Sequence, residues 1–334
     1  MAEDITLILG CFETDRVRPI LDGRIRIPGV RFLREPGEPQ DLFRRALREK
    51  AFGVTELSLS SHMVTTARGD APYIGVPVFP SRSFRHSAVY IRTDRGIRSA
   101  ADLAGRRIGL PEYQQTAALW VRGMLRETYG VDTNGIAWRT GGLEQPGAGE
   151  RVALTLPPGL DVRPIKPGES LNGLLAAGEI DAIIGPRPPS CFVAKSAPVD
   201  RLWPDYRAEE ERYFDATGFF PLMHCMAVRK DVAAAHPWLP AAIFQAWSQA
   251  KAMALEELAM VNVLRVSLPW IAAEAAAQTA RFGGNPWPYG FARNRAEIAA
   301  MIRFAEADGL VTTPLAPEDL FDPATLALAE TGQG

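Results

Sequence analysis

The chain has 334 residues, enough for two domains or one large one, and 47% hydrophobic with 23% charged residues is the composition of an ordinary globular protein with sizeable cores. A formal net charge of −2, with both signs spread along the length, gives no footprint for nucleic acid or an anionic membrane. Cys11, Cys191 and Cys225 are odd in number and far apart, which argues against a disulfide framework or a zinc module.

In chain order, ITLILG (5–10) reads as a buried first strand. Its end, ILGC, imitates a lipoprotein cleavage box, but MAED is acidic where a leader is basic, and ITLIL is shorter than the roughly seven apolar residues a leader needs. No stretch reaches the roughly 20 apolar residues of a membrane span, so the expected location is the cytoplasm. A helix is predicted around 41–50. FGVTELSLSSHMV (52–64) alternates in part and would place Glu56, Ser58 and Ser60 on one side of a strand. YIGVPVF and HSAVYIRTD are strand-like, SAADLAGRRIGLP feeds another short strand, and EIDAIIGP (179–186) is a buried strand ending in a turn. GGLEQPGAGER (141–151) is a surface loop. LMHCMAVRKD (222–231) is the last strand, and helices follow. Leu239, Ile243, Phe244, Trp247, Ala250 and Ala254 share a helix face, GGNPWPYGF (283–291) is an aromatic loop, and Asn294 with Glu297 resembles a capping box stopped at Gly309. Short apolar runs alternating with amphipathic helices predict an α/β fold with largely parallel sheets.

There is no phosphate loop, GAGERV lacks the third glycine of a dinucleotide fingerprint, and His62, His86, His224 and His236 show no metal-ligand spacing. Two clusters stand out. In FPSRSFRHS (79–87), Arg82 and Arg85 suit bidentate capture of carboxylates and His86 suits proton exchange; the competing expectation is surface ion pairs and a packed histidine. In GLPEYQQTAALWVRGML (109–125), a strand–loop–helix joint carries Glu112, Tyr113, Gln114 and Gln115, with Thr116 placed as N-cap of a helix bearing Arg122. Such a joint aims free backbone N–H groups at an anion, although a plain capped helix has the same pattern. Arg187 follows a strand at the end where α/β proteins bind ligands. His224 shares its strand face with Leu222 and Met226, so core packing and catalysis both fit it.

FGVTELSLSSHM, VPVFPSRSFRHSAVYIRTDRGI, DLAGRRIGLPEYQQTAALWVRGML, SLPW and WPYGFARN resemble the 4,5-dihydroxyphthalate decarboxylase family over nearly the whole chain. The resemblance implies a two-lobed α/β fold of the type 2 periplasmic-binding-protein kind, with ligand in the cleft between lobes. Lobe I would take residues 1–90 and 227–334, and lobe II residues 91–226. The joint at 111–116 would face the cleft, its polar side chains addressing a charged substrate.

The implied substrate is an aromatic dicarboxylate with two phenolic hydroxyls, converted to 3,4-dihydroxybenzoate and carbon dioxide. Such a reaction needs an acid at the ring carbon, a base near a hydroxyl and cations for the retained carboxylate. His86 is the first candidate for proton transfer, with Glu112 and His224 as alternatives. Arg82, Arg85, Gln115, Thr116, Arg122 and Arg187 are the candidate substrate contacts. No cofactor is implied, a divalent metal is left open, and so is a homo-oligomer. The competing functions are a non-catalytic solute-binding protein for an aromatic carboxylate and a family enzyme acting on a different aromatic acid.

Overall fold

The computed structural model describes residues 4–147 and 149–330. Its strands are β1 (Ile5–Gly10), β2 (Val30–Glu35), β3 (Val54–Ser58), β4 (Tyr73–Arg82), β5 (Val89–Arg92), β6 (Arg107–Leu110), β7 (Ala137–Thr140), β8 (Val162–Pro164), β9 (Ala182–Ile184), β10 (Val199–Arg201) and β11 (Leu222–Arg229). They form two sheets, ordered β2-β1-β3-β11-β4 and β10-β5-β9-β6-β7-β8. In the first, β1 runs parallel to β2 and β3, while β11 lies antiparallel between β3 and β4. In the second, β6 to β9 pair in parallel and β5 is antiparallel to β9 and β10. The chain crosses between the sheets twice, from β4 into β5 and from the helix Tyr206–Thr217 into β11.

Central β3 is buried at all five positions because it has neighbours on both edges and cover on both faces. Glu56 is the one charged group inside it. The predicted face of the helix Leu239–Ala259 is buried at every named position, from Leu239 to Ala254. Each large apolar side chain there contributes on the order of 1.5–3 kcal/mol by leaving water. The helix Thr116–Glu127 is buried from Thr116 to Leu125 and crosses the helix Phe291–Ala307 at Gly123, where a Cβ would meet the Phe304 ring at 2.2 Å.

Two local expectations are corrected. Ser60 is not on a strand with Glu56 and Ser58, because β3 ends at Ser58 and the helix Leu59–Ala67 begins. Asn294 and Glu297 are not a capping box: the helix starts at Phe291 after Gly290, and both side chains lie buried inside it, bound to Arg82. Gly309 does follow the helix end, with φ +69°.

Arg122 is fully enclosed. Its Nε donates to Asp308 Oδ2 at 2.6 Å, its Nη2 to the Tyr113 carbonyl at 2.8 Å, and its plane lies 4.0 Å from the Tyr113 ring centroid. Arg126 donates to the other Asp308 oxygen at 2.5 Å. With the side chains of Arg122 and Asp308 only 0% and 1% exposed, loss of the carboxylate strands a buried cation. Asp308→Ala is therefore expected to lower stability by about 3–5 kcal/mol in urea unfolding.

Candidate active site

The carboxyl ends of β1, β3 and β6 point toward one junction between the lobes, the usual ligand position in open α/β sheets. From the first sheet and the segments joining its strands come Phe12 after β1, Phe43 on the helix Pro39–Arg44, Glu56 and Ser58 on β3, and His224 on β11. His224 pairs with Ser58 across the ladder, so Glu56 lies diagonally beside it on the same face. Its Nδ1 donates to Glu56 Oε1 at 2.7 Å, and Glu56 Oε2 accepts from the Phe12 backbone N–H at 3.4 Å. Irregular β11–β4 register on either side of His224 releases it from the packing of its neighbours. Its side chain is 18% exposed, whereas Leu222 and Met226 are fully buried. The imidazole edge packs on Phe43 at 4.8 Å and Phe12 at 5.9 Å between centroids. No described residue hydrogen-bonds its Nε2.

From the second lobe come the joint 111–116 and the end of the loop 141–151. Thr116 is the first helical residue and Gln115 the N-cap, so the Thr116 hydroxyl is free to turn across the junction. It shares a hydrogen bond with Ser58 Oγ at 3.0 Å and accepts from the Ser60 N–H at 3.2 Å. Two helix N-termini, of Leu59–Ala67 and Thr116–Glu127, thus meet here. Ser61 Oγ donates to Gln114 Oε1 at 2.6 Å, and Gln114 Nε2 donates to Glu112 Oε2 at 3.2 Å. Glu112 pairs with Arg151, whose guanidinium lies 5.3 Å from the Phe43 ring centroid. Phe43 therefore touches both His224 and Arg151. Glu150 accepts from the backbone N–H groups of Tyr113 at 2.5 Å and Gln114 at 3.4 Å. Burial, reinforced by Glu112, pushes its carboxyl up to about 7. Ser60 Oγ, Gln115 Oε1 and Arg151 Nε are buried without a partner among the described residues. At the rim, exposed Arg187 forms an ion pair with Glu38 of the facing lobe.

Of the side chains singled out in the sequence, Glu112, Gln115, Thr116 and His224 gather at this junction, with Arg187 at its edge. Arg82 and Arg122 do not join them, because each is enclosed by partners of its own. His86 is buried among Tyr129, Trp203 and Tyr213, with Nε2 3.0 Å from the Tyr129 hydroxyl. Arg85 is half-buried, and its Nε donates to Met223 Sδ at 3.3 Å. Burial lowers its pKa to about 10 against the opposing pull of Glu210. No group of three or more His, Cys, Asp or Glu placed to hold a metal occurs among the described residues. A surface cavity lies elsewhere, beside β10 and lined by Phe192, Lys195 and Arg201.

No family model matches the chain. It is 44% identical over 312 residues to the 4,5-dihydroxyphthalate decarboxylase of Comamonas testosteroni, covering 93% of this chain and 94% of that protein. The chain belongs to the 4,5-dihydroxyphthalate decarboxylase family. A second member, from Pseudomonas putida, is 47% identical over 204 residues, 61% of this chain and 79% of that protein. Among solved structures, the periplasmic aliphatic sulphonate binding protein SsuA of Escherichia coli matches with a TM-score of 0.53 at 13% identity, covering 98% of this chain and 99% of that one. The alkanesulfonate-binding protein SsuA of Xanthomonas axonopodis pv. citri, bound to MOPS, matches with a TM-score of 0.51 at 16% identity, covering 97% and 99%. The expected two-lobed α/β fold is borne out by these neighbours, and among the described residues no helix is long and apolar enough to cross a membrane.

For this family member, sequence inspection missed Glu56, Glu150, Arg151, Phe12 and Phe43 as site residues. Glu56 had a signal, since a lone carboxylate in a buried central strand demands a partner. Arg151 had none, being the last residue of an irregular loop. His86 was the first candidate for proton transfer. Burial, aided by the nearby Arg212, lowers its pKa to about 4, so it is neutral at pH 7. The folded value lies below the usual 6.5, so the unfolded chain takes up a proton that the native protein resists. Its stabilising contribution is full above about pH 6.5 and is lost as pH falls toward 4, on the order of 3 kcal/mol. In urea unfolding, the stability gap between wild type and His86→Gln should narrow across that window.

Proposed function

We propose that the chain decarboxylates 4,5-dihydroxyphthalate to 3,4-dihydroxybenzoate and carbon dioxide in the cytoplasm, with His224 as the proton donor at carbon. The observation that carries the assignment of roles is the Glu56–His224 pair, 2.7 Å apart at the lobe junction, with Nε2 unengaged by the described residues. The chemistry follows from the substrate. Loss of the proton from the hydroxyl para to one carboxylate pushes electrons toward the ring carbon bearing it. His224, protonated on both ring nitrogens with its Nδ1–H held by Glu56, delivers the Nε2 proton to that carbon. The carbon–carboxylate bond then breaks, its electron pair returns to the ring, aromaticity is restored and carbon dioxide leaves. The two carboxylates are related by symmetry, so loss of either gives the same product.

Glu56 supports this role by fixing which imidazole nitrogen faces the cleft. Arg151 takes the retained carboxylate, its spare Nε and its exchangeable link to Glu112 supplying the fork. Glu112, released from Arg151, accepts the phenolic proton. Thr116, Gln115, Ser58 and Ser60 offer hydroxyl, amide and N–H groups at two helix N-termini to the remaining oxygens. The departing carboxylate faces Phe12 and Phe43, where poor solvation favours the loss of charge to neutral carbon dioxide. Arg187 latches the rim through Glu38. Arg82 and Arg122 hold the framework, and His86 is a packed residue of an aromatic cluster.

Purified protein incubated with 4,5-dihydroxyphthalate should release carbon dioxide and 3,4-dihydroxybenzoate together. His224→Gln should lower kcat by roughly 10²–10⁴-fold with little change in KM, and Glu56→Gln should act in the same direction. Arg151→Met should raise KM more than it lowers kcat. An unchanged kcat in His224→Gln removes it as the donor. Tight substrate binding without turnover in wild type would make the chain a solute-binding protein.

A further inference from the structure

The long helix Leu239–Ala259 ends in an eleven-residue segment, MVNVLRVSLPW (260–270), that leads into the helix Ile271–Arg281. Every residue of the segment is exposed. Met260, Val261, Val263, Leu264, Val266, Leu268 and Trp270 are all outward, with Val261 78% and Trp270 81% exposed. The following helix has no buried residue. One flank of it is tied to the helix Tyr206–Thr217 through Arg207–Glu274, Arg281–Glu211 and Arg281–Asp215. Its exposed alanines, Ala273, Ala276, Ala277 and Ala280, fall at helical spacing and continue the apolar surface beyond Trp270.

Isolated surface apolar residues need no explanation, but seven within eleven positions form a patch. The exposed surface of these seven residues, backbone included, is on the order of 700 Å², above the roughly 300–600 Å² of the largest patch on a typical monomer and close to the roughly 800 Å² each partner gives a standard interface. We propose that residues 260–280 form a self-association surface through which two copies of this chain pack. Charge favours a second copy over other occupants. Arg265 and Glu274 are the only ionisable residues in 260–280, and Glu274 is already paired. An anionic membrane is gripped by clusters of Lys and Arg, and a transient partner by a polar, charge-complementary rim. An apolar, nearly uncharged patch is the composition of permanent interfaces between identical subunits, where the same surface meets itself across a two-fold axis.

The test is light scattering on the full chain after size exclusion at micromolar concentration, for wild type, the variant Leu264→Ser/Leu268→Ser/Trp270→Ser, and Leu33→Ser as an exposed control elsewhere. Wild type and control are expected at twice the 36.5 kDa chain mass or a higher even multiple, and the triple variant at a lower multiple with an unchanged far-ultraviolet circular dichroism spectrum. Monomeric wild type overturns the proposal, as does a triple variant that keeps the wild-type mass. Wild type that floats with phosphatidylglycerol vesicles as a monomer also overturns it, making the patch a membrane contact.

Discussion

Both crossings between the lobes converge on one guanidinium. Arg82 is the last residue of β4, and its Nη1 donates to the Phe220 carbonyl at 2.7 Å and Glu297 Oε2 at 3.1 Å. Its Nη2 donates to the Pro288 carbonyl at 2.9 Å and to Asn294 Oδ1. Glu297 closes the set by accepting from the Leu222 N–H at 2.7 Å, where the second crossing becomes β11. A buried cation is costly unless its planar donors are matched and its charge is paired, and here one fork binds two peptide carbonyls, an amide and a carboxylate. The result is a hinge in which β4, β11 and the last long helix are fixed to one another. His224 stands two residues beyond Leu222, so this cluster anchors the end of the strand that carries the proposed proton donor.

From that hinge outward, the polar groups of the junction form a chain: Ser58 and Thr116, Ser61 and Gln114, then Glu112 and Arg151. Each link joins or adjoins the two lobes, and each lies away from bulk water, where a polar group without a partner carries the full cost of desolvation. The chain is nonetheless incomplete at Ser60 Oγ, Gln115 Oε1 and Arg151 Nε. Ser60 Oγ and Arg151 Nε can donate to oxygens of a ligand, and Gln115 Oε1 can accept from a ligand hydroxyl. The same low dielectric that makes the incomplete network unfavourable makes every bond to a bound carboxylate stronger.

How much of this the sequence reveals depends on how far apart the partners lie along the chain. The buried strands, the face of Leu239–Ala259 and the two-lobed fold are legible because periodicity and family motifs are local. The importance of 111–116 is legible too, since its side chains exceed what a turn requires. Arg82 was read as a carboxylate binder because the guanidinium's chemistry is visible and its partners are not: Asn294 and Glu297 lie more than 200 residues away, where they passed for a helix cap. Thr116 reads as an N-cap because its hydroxyl sits one position from the cap. Only the neighbouring lobe explains why it turns instead to Ser58. The reading of 141–151 as a surface loop holds for the exposed stretch Glu144 to Gly147 and fails at its end, since nothing local marks Glu150 and Arg151 as inward-facing.

These placements divide the work between rigid and adaptable parts. In the proposed mechanism, the proton must reach one carbon atom along one direction, and its donor stands on a central strand, braced by Glu56 on the next strand and by two phenyl rings. The grip on the carboxylate tolerates more error, because a planar fork captures an anion over a range of approach, and Arg151 stands at the end of an irregular loop. The binding-protein neighbours share the fold and need only complementarity to a ligand. Turning such a cleft to decarboxylation adds one demand, a proton source at carbon, and in the proposed mechanism a carboxylate buried in β3, diagonally beside a histidine released by irregular pairing in β11, supplies it without altering the lobes.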